Sequence, residues 1–329
     1  MTNEDLKYII PNGATTVMYG QRSLNIFGKL HYLKIVLRAY IKINAFYKKA
    51  LSEKECFYGP FKGEFGHFLL HTLPFLMHLH QKGVKIHYCG MALHKPFLID
   101  EQCNSIIYQF HELRDFFLFL PPHANEVNPP EDVQHEIKKF NVLAINSGKA
   151  YLDIGDKDLY WFVFRNWQLK KGRQHVYSIR NYYKTAEEKS CVIFPRKKGN
   201  ATVTPNNGGS WDYMEVARAV SPYFDKVYIT GHPSMSADVV SEGNIIACLS
   251  TDNKVVIEKC CNANLIITQH SGAVHIGMYT NTNVLLIFNG KPPIKGLIDT
   301  IRFRENLSKQ KLDYAFSMTD IINFTKKYK

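Results

Sequence analysis

Short, β-branched apolar runs alternate with stretches of helical spacing in this chain, and that alternation predicts an α/β protein with a doubly wound parallel sheet. Three observations carry the prediction. Past residue 190 the runs 191–195, 226–230, 245–248, 265–267 and 284–288 are separated by the helix-periodic stretches 211–223, 253–262 and 273–279. The strongest of these runs are continuously apolar, as expected of strands buried on both faces. The 329 residues exceed the usual size of one domain, so two units are expected, divided here as 1–165 and 166–310 with a terminal segment 311–329.

The first half is read in order. Residues 28–52 space apolar groups helically, with Lys29, Lys34, Arg38, Lys42, Lys48 and Lys49 between them, a basic amphipathic helix. The loop Phe57 to Gly66 holds three glycines and leads into a helix over 67–81, with Leu69, Leu70, Leu73, Leu76, Met77 and Leu79 as its apolar set. Residues 84–88 read as a strand, 106–120 as a helix followed by a strand, and 159–164 as a strand; Pro121, Pro122, Pro129 and Pro130 punctuate a loop. A helix is expected near 320–329.

Composition narrows the classes. With 45% hydrophobic and 21% charged residues the chain is an ordinary globular one. Its formal charge of +12 favours anionic partners. The seven scattered cysteines form no CxxC pair, which fits a reducing compartment. No apolar run reaches the ~20 residues that span a bilayer, and the start MTNEDLK is not a signal peptide. The expected location is cytoplasmic, with the basic face of 28–52 available to an anionic membrane surface.

The segment 264–277, NLIITQHSGAVHIG, carries the most chemistry. A strand, a turn of small residues and a helix start make an anion site, because the first amides of a helix lack internal partners and the helix dipole favours negative charge there. Gly272 lets a phosphate approach the backbone, and His270 and His275 flank it. Three strand ends in this half bear polar loops, at Arg196, at Gly231 and His232, and at Gln269 to Gly272. Ligands of doubly wound sheets lie at such ends.

These residues resemble the donor-binding half of GT-B glycosyltransferases. The likeness to bacterial heptosyltransferases is clearest in "LIITQHSGAVHIGMYTNTNVLLIFNG", with "VIFPRKKG" and "KVYITGHPS" as the preceding strands and loops. Asn289-Gly290 stands where that family often has Phe-Gly. In the first half "GEFGHFLLHTLPFLMHL" resembles the heptosyltransferase helix V-L-x-T-x-P-x-L, and also the start of a GT-B group that includes xylosyl and N-acetylglucosaminyl transferases. Heptosyltransferases carry an Asp, the presumed base, where this chain has His67. The resemblance implies two Rossmann-like domains with a cleft between them: 1–165 on the acceptor side, 166–310 on the donor side, and 311–329 as a helix returning to the first domain. It also implies transfer of a sugar from a nucleotide-sugar donor to a hydroxyl of a glycan or glycolipid.

Such a transfer needs a base for the acceptor hydroxyl and cationic or amide groups for the departing phosphate. His67 is the first candidate base and Glu64 the competitor, either as base or as a group orienting the imidazole. On the donor side Arg196 suits a phosphate, Ser271, Gly272 and Ala273 offer backbone amides, and His275 is either a phosphate contact or a buried histidine. Gly231 and His232 are candidates for the nucleotide pocket, Gly231 equally for a plain turn, and Glu258 for ribose hydroxyls. Gln269 and His270 complete the donor set. Asp156-Lys157-Asp158 spells D-x-D in a polar turn, and His67 with His71 lacks a third ligand. The expectation is therefore metal-independent chemistry with no cofactor beyond the sugar nucleotide. Competing classes are a sugar-nucleotide epimerase, a pyruvyl transferase, and a basic nucleic-acid- or glycan-binding protein. The spread of basic residues and the lack of a binding motif weigh against nucleic acid.

Overall fold

The computed structural model describes residues 26–115, 129–153, 163–164, 167–168, 172–185, 188–196, 211–269, 271–288, 307 and 312–328. Helix α1 (Ile26–Glu53) forms because Val36, Ala39, Ile43, Phe46, Tyr47 and Ala50 recur at helical spacing and share one buried stripe. Arg38, Lys42, Lys48 and Lys49 lie exposed on the other side. Strand β1 (Glu55–Tyr58) leads into α2, which starts as Phe65–His67, widens to π geometry over Phe68–Thr72 and continues as Leu73–Gln81. Strand β2 (Lys85–Met91), a 3₁₀ segment (Ala92–Phe97), β3 (Gln109–Leu113), α3 (Glu131–Asn146) and β4 (Ala150–Leu152) complete the first sheet. Its order is β3-β2-β1-β4, all parallel.

The second sheet is built from β5 (Ser190–Phe194), β6 (Lys226–Ile229), β7 (Ile245–Ala247), β8 (Leu265–Thr268), β9 (Asn283–Ile287) and β10 (Leu312–Ala315). Its helices are α5 (Tyr213–Val220), α6 (Asn253–Asn262), α7 (Ile276–Thr280) and α8 (Met318–Thr325), with the short α4 (Arg180–Tyr183) ahead of β5. All pairs are parallel, in the order β10-β9-β8-β5-β6-β7. Counted from β5, this is the Rossmann strand order, with a switch point between β5 and β8. The first sheet has its own switch point between β1 and β4. The α/β class and the parallel sheets expected from the sequence are present.

Three expectations differ from the structure. The helix expected to begin at 106 is instead the edge strand β3, because pairing along β2 outweighs the helical preference of Gln, Glu and Leu there. The expected strand at 159–164 is helical at its described residues, Val163 and Phe164; so short an apolar run does not separate a strand from a buried helical turn. Among the described residues the terminal segment packs on the second half rather than returning to the first. Leu312–Ala315 extends the second sheet beside β9, and Ile321 of α8 buries against the core that α5 also covers.

The halves are bonded to each other. One apolar cluster runs from α1 and α2 through Val192, Ile266 and Tyr279. The Tyr279 hydroxyl donates to Leu69 O, Asn253 Nδ2 to Leu93 O at 2.9 Å, and the Tyr183 hydroxyl to Pro96 O at 3.1 Å. The connecting residues pack first on one half and then on the other. Gln168 Nε2 donates to His71 O at 3.1 Å, His175 N to Pro74 O at 3.0 Å, and Ile179 N to Tyr279 O at 2.8 Å.

Candidate active site

Two loops at strand carboxyl ends meet backbone to backbone. On the first, Glu64 precedes the opening turn of α2, and Phe68 N donates to Glu64 O at 3.0 Å, which starts the helix. On the second, β8 ends at Thr268 and the 3₁₀ turn Gly272–His275 begins α7. A Cβ on Gly272 would lie 3.0 Å from Gly66 N, and one on Gly66 would lie 3.3 Å from Gly272 Cα and 3.7 Å from His275 Cδ2. The approach is tightest at Gly272, where a Cβ would press on backbone; at Gly66 it would meet a milder contact.

The structure therefore brings Glu64, Gly66 and His67 beside Gly272, Ala273 and His275. His275 is buried, and the His67 ring lies 5.9 Å from the His71 ring. Ser271 caps the turn: its Oγ accepts from Ala273 N at 3.3 Å, and its carbonyl accepts from Val274 N at 3.1 Å. One of the three amides expected to face a phosphate, that of Ala273, thus has a partner within the turn. The Oγ bond is long, so another acceptor displaces it at little cost.

Arg196 follows β5, the strand that pairs with β8 across the switch point. Burial lowers the pKa of its guanidinium, and the adjacent Tyr213 hydroxyl and Glu64 carboxylate oppose that effect. A desolvated cation is stable only with anionic or polar partners, and here Glu64 supplies charge from the other half. Tyr213, first residue of α5, donates its hydroxyl to Gln269 Oε1 at 2.7 Å. Burial raises the pKa of that phenol, so it stays protonated and donating. Tyr213 was not singled out from the sequence. The available signal was its place in the first helical turn after Asp212, whose side chain accepts from Met214 N and Glu215 N.

A second group lies further along the same strand ends. Gly231 turns at φ +147°, where a Cβ would meet Ser236 Oγ at 2.8 Å, and its carbonyl accepts from Ser250 N at 3.0 Å. His232 Nδ1 accepts from Ser234 N at 3.2 Å, which places the ring proton on Nε2 in the neutral form. Burial lowers the pKa of His232 while Asp115, at the end of β3, raises it. Asp115 Oδ1 accepts from Leu93 N at 3.0 Å, and burial raises its carboxyl pKa. Reading 106–120 as a helix hid Asp115, which became visible as a strand-end residue only with β3. Glu258 lies within α6, 4.0 Å from Lys254 Nζ, and is not joined to the Arg196 group by any of these contacts. His270, Lys197, Lys198, Asp156, Asp158, Asn289 and Gly290 lie outside the described residues.

Among the described residues no group of three or more His, Cys, Asp or Glu side chains is placed to hold a metal ion, and no helix is long and apolar enough to cross a membrane.

Two parallel α/β sheets, each with a switch point, whose strand-end loops after β1 and β8 meet, make the GT-B class of fold, the class the sequence resemblance implied. No family model matches the sequence, and no curated protein matches it. Solved structures share the fold. The E. coli heptosyltransferase WaaC with ADP superposes with a TM-score of 0.53 at 9% identity, over 84% of this chain and 100% of that one. The same enzyme with ADP-2-deoxy-2-fluoro heptose gives 0.51 at 9% identity over the same shares, and E. coli ADP-heptose LPS heptosyltransferase II gives 0.51 at 10% identity over 83% and 98%. At such identities the likeness is one of fold.

Proposed function

We propose that this chain is a glycosyltransferase that moves a sugar from a nucleotide-sugar donor to a hydroxyl of a glycan or glycolipid acceptor. One observation carries the reading: the Glu64–His67 loop abuts the Ser271–His275 turn, and the cation Arg196 lies beside Glu64. A base from one half thereby stands next to an anion-binding group from the other. The acceptor hydroxyl gives its proton to His67, or to Glu64, as its oxygen attacks the anomeric carbon. The bond from that carbon to the phosphate oxygen breaks, and the electron pair leaves with the nucleotide diphosphate. Arg196 and the amides at Gly272 and Ala273 stabilise the charge that develops there. That division of labour needs no metal ion and no cofactor besides the donor.

In this reading the first half is the acceptor side and the second the donor side; the connecting residues bond to α2 at Gln168 and His175 and to α7 at Ile179 and Arg180. Gln269, His275, Gly231 and His232 line the donor crevice. Glu258 reaches ribose only by leaving Lys254. The exposed basic face of α1 supports contact with an anionic membrane surface.

The test is a thermal-shift screen of sugar nucleotides with and without EDTA, starting from ADP-sugars because the fold neighbour was solved with ADP and an ADP-heptose analogue. A ligand of the folded state raises Tm by mass action. The expected result is stabilisation by one nucleotide family, unchanged by EDTA, lost in Arg196→Ala and kept in His67→Gln, which loses turnover. No shift with any nucleotide refutes the proposal.

A further inference from the structure

The halves meet a second time at the carboxyl ends of β3 and β6, and a chain of bonds joins the two ends. The Gly231 carbonyl accepts from Ser250 N at 3.0 Å, and Ser250 Oγ accepts from Asp252 N at 3.0 Å. The next residue, Asn253, opens α6 and crosses to the first half, donating from Nδ2 to Leu93 O at 2.9 Å. Leu93 N in turn donates to Asp115 Oδ1 at 3.0 Å. His232, beside Gly231, and Asp115, just past β3, are thereby fixed relative to each other by bonds from both halves. The His232 loop is also tied to the Arg196 end of β5, because Ala237 N donates to Pro195 O at 2.6 Å and Ser236 bridges to Arg196.

Each side chain has one polar atom committed to its own half. His232 Nδ1 accepts from Ser234 N, so in the neutral ring Nε2 carries the proton and donates. Asp115 Oδ1 is taken by Leu93 N, which leaves Oδ2 as the acceptor. Among the described residues neither Nε2 nor Oδ2 is bonded, and the two side chains form no direct ion pair. They are within electrostatic reach all the same: burial lowers the pKa of His232, and the Asp115 charge opposes that effect. Glu112, the other carboxylate acting on Asp115, is paired with Lys95. Both residues are half-buried rather than sealed. A donor and an acceptor that attract across a gap are matched by a single hydroxyl, which accepts from the first and donates to the second.

We infer that Asp115 is a donor-binding residue supplied by the first half, its Oδ2 and His232 Nε2 together holding one hydroxyl of the sugar nucleotide. The inference rests on the transferase reading and adds to it a donor contact from the acceptor side. The hydroxyl belongs to the ribose or to the transferred sugar, and the experiment separates the two. Calorimetry measures binding of ADP, UDP and GDP, and of ADP-D-glucose, UDP-D-glucose and GDP-D-mannose, to the wild type, Asp115→Asn, His232→Phe and the double variant. Asn keeps an oxygen for Leu93 N, so the chain of bonds survives, and urea midpoints check the fold. The expected result is an affinity about tenfold or more weaker in Asp115→Asn, the scale of one hydrogen bond to a charged group. His232→Phe should lose less, and the double variant little more than Asp115→Asn, because both residues hold the same hydroxyl. Weakening already present with the free nucleotide assigns the hydroxyl to the ribose; weakening confined to the sugar nucleotide assigns it to the transferred sugar. Unchanged binding by Asp115→Asn, as for two groups bridged by water alone, overturns this inference and leaves the transferase reading standing. Additive losses in the double variant overturn it too. If the wild type binds none of the probes, the transferase reading falls and this inference falls with it.

Discussion

The Gly66–Gly272 contact converts directly into a stability and activity experiment. In Gly272→Ala the new methyl lies 3.0 Å from Gly66 N, 3.2 Å from Phe65 Cδ1 and 3.4 Å from Gly66 Cα. Relaxed carbon contacts sit at about 3.5–4.0 Å, so the two loops must separate by roughly half an ångström. The nearest atom is backbone, and backbone yields less readily than the end of a side chain. Overpacking of this kind costs about 1–3 kcal/mol. Removing glycine from the unfolded chain returns about 0.4–1 kcal/mol. The net loss is about 1–2 kcal/mol, a fall of a few degrees in Tm at about 2–4 °C per kcal/mol for a fold of this scale. Gly66→Ala meets only one close atom, at 3.3 Å, and two at 3.7 Å, so its net effect is within about 1 kcal/mol of zero. Thermal melts and urea titrations of both variants give the ordering, and sugar-nucleotide turnover should fall in the same order because the loops carry Glu64 and the Ser271 turn. A Gly272→Ala protein as stable as the wild type, or a Gly66→Ala protein that loses more, refutes the reasoning.

Other expectations follow from single bonds and charges. Tyr213→Phe removes the 2.7 Å bond to Gln269 beside Arg196 and should cost about 1 kcal/mol in urea unfolding, with weaker nucleotide binding; unchanged binding would detach Tyr213 from the site. Tyr279→Phe deletes the hydroxyl that joins α7 to Leu69 O and should lower stability by about 1–2 kcal/mol, read from the urea midpoint at constant slope. Burial, then Lys82, Arg173 and His175, pull the His78 pKa down to about 4. The unfolded chain therefore takes up this proton first, and stability falls as pH drops from about 6.5 towards 4, by up to about 3 kcal/mol for this group. Ring NMR should find His78 still neutral at about pH 5, well above its folded pKa; a protonated ring there contradicts the burial argument.

The second half was legible because its strands are buried on both faces and announce themselves as unbroken apolar runs. Helix α6 falls on the residues read from periodicity, β8 extends the reading by one residue, and β9 is shifted from it by one residue. Edge elements were not. Strand β3 has one fully buried apolar residue, Leu113, and its identity comes from β2 rather than from its own composition. β10 is a four-residue edge strand of the same kind, and no run in the sequence announced it; the placing of the terminal helix on the first half came from the family resemblance instead.

The candidate site divides along the same physical line. Glycines at loop tips, a Ser before a small-residue turn and a basic residue at a strand end are local chemistry, and a sequence displays them. Which of them meet is decided by two sheets facing each other, information that no local window contains. Gly66 and Gly272 lie 206 positions apart in the sequence, and each read singly as a phosphate loop or a helix start. Their backbones meet, so in the proposed reading a bound anion sits to one side of their contact. Arg196 marks that side, because its half-buried charge faces Glu64 and the Tyr213 hydroxyl. In the proposed reading the turn offers neutral amides, one of them already bonded to Ser271 Oγ, whereas Arg196 offers a full charge, and charge-assisted hydrogen bonds are the stronger ones. Arg196→Ala should therefore weaken nucleotide binding more than Ser271→Ala, and calorimetry on the two variants decides it: equal losses would place the diphosphate on the turn amides instead.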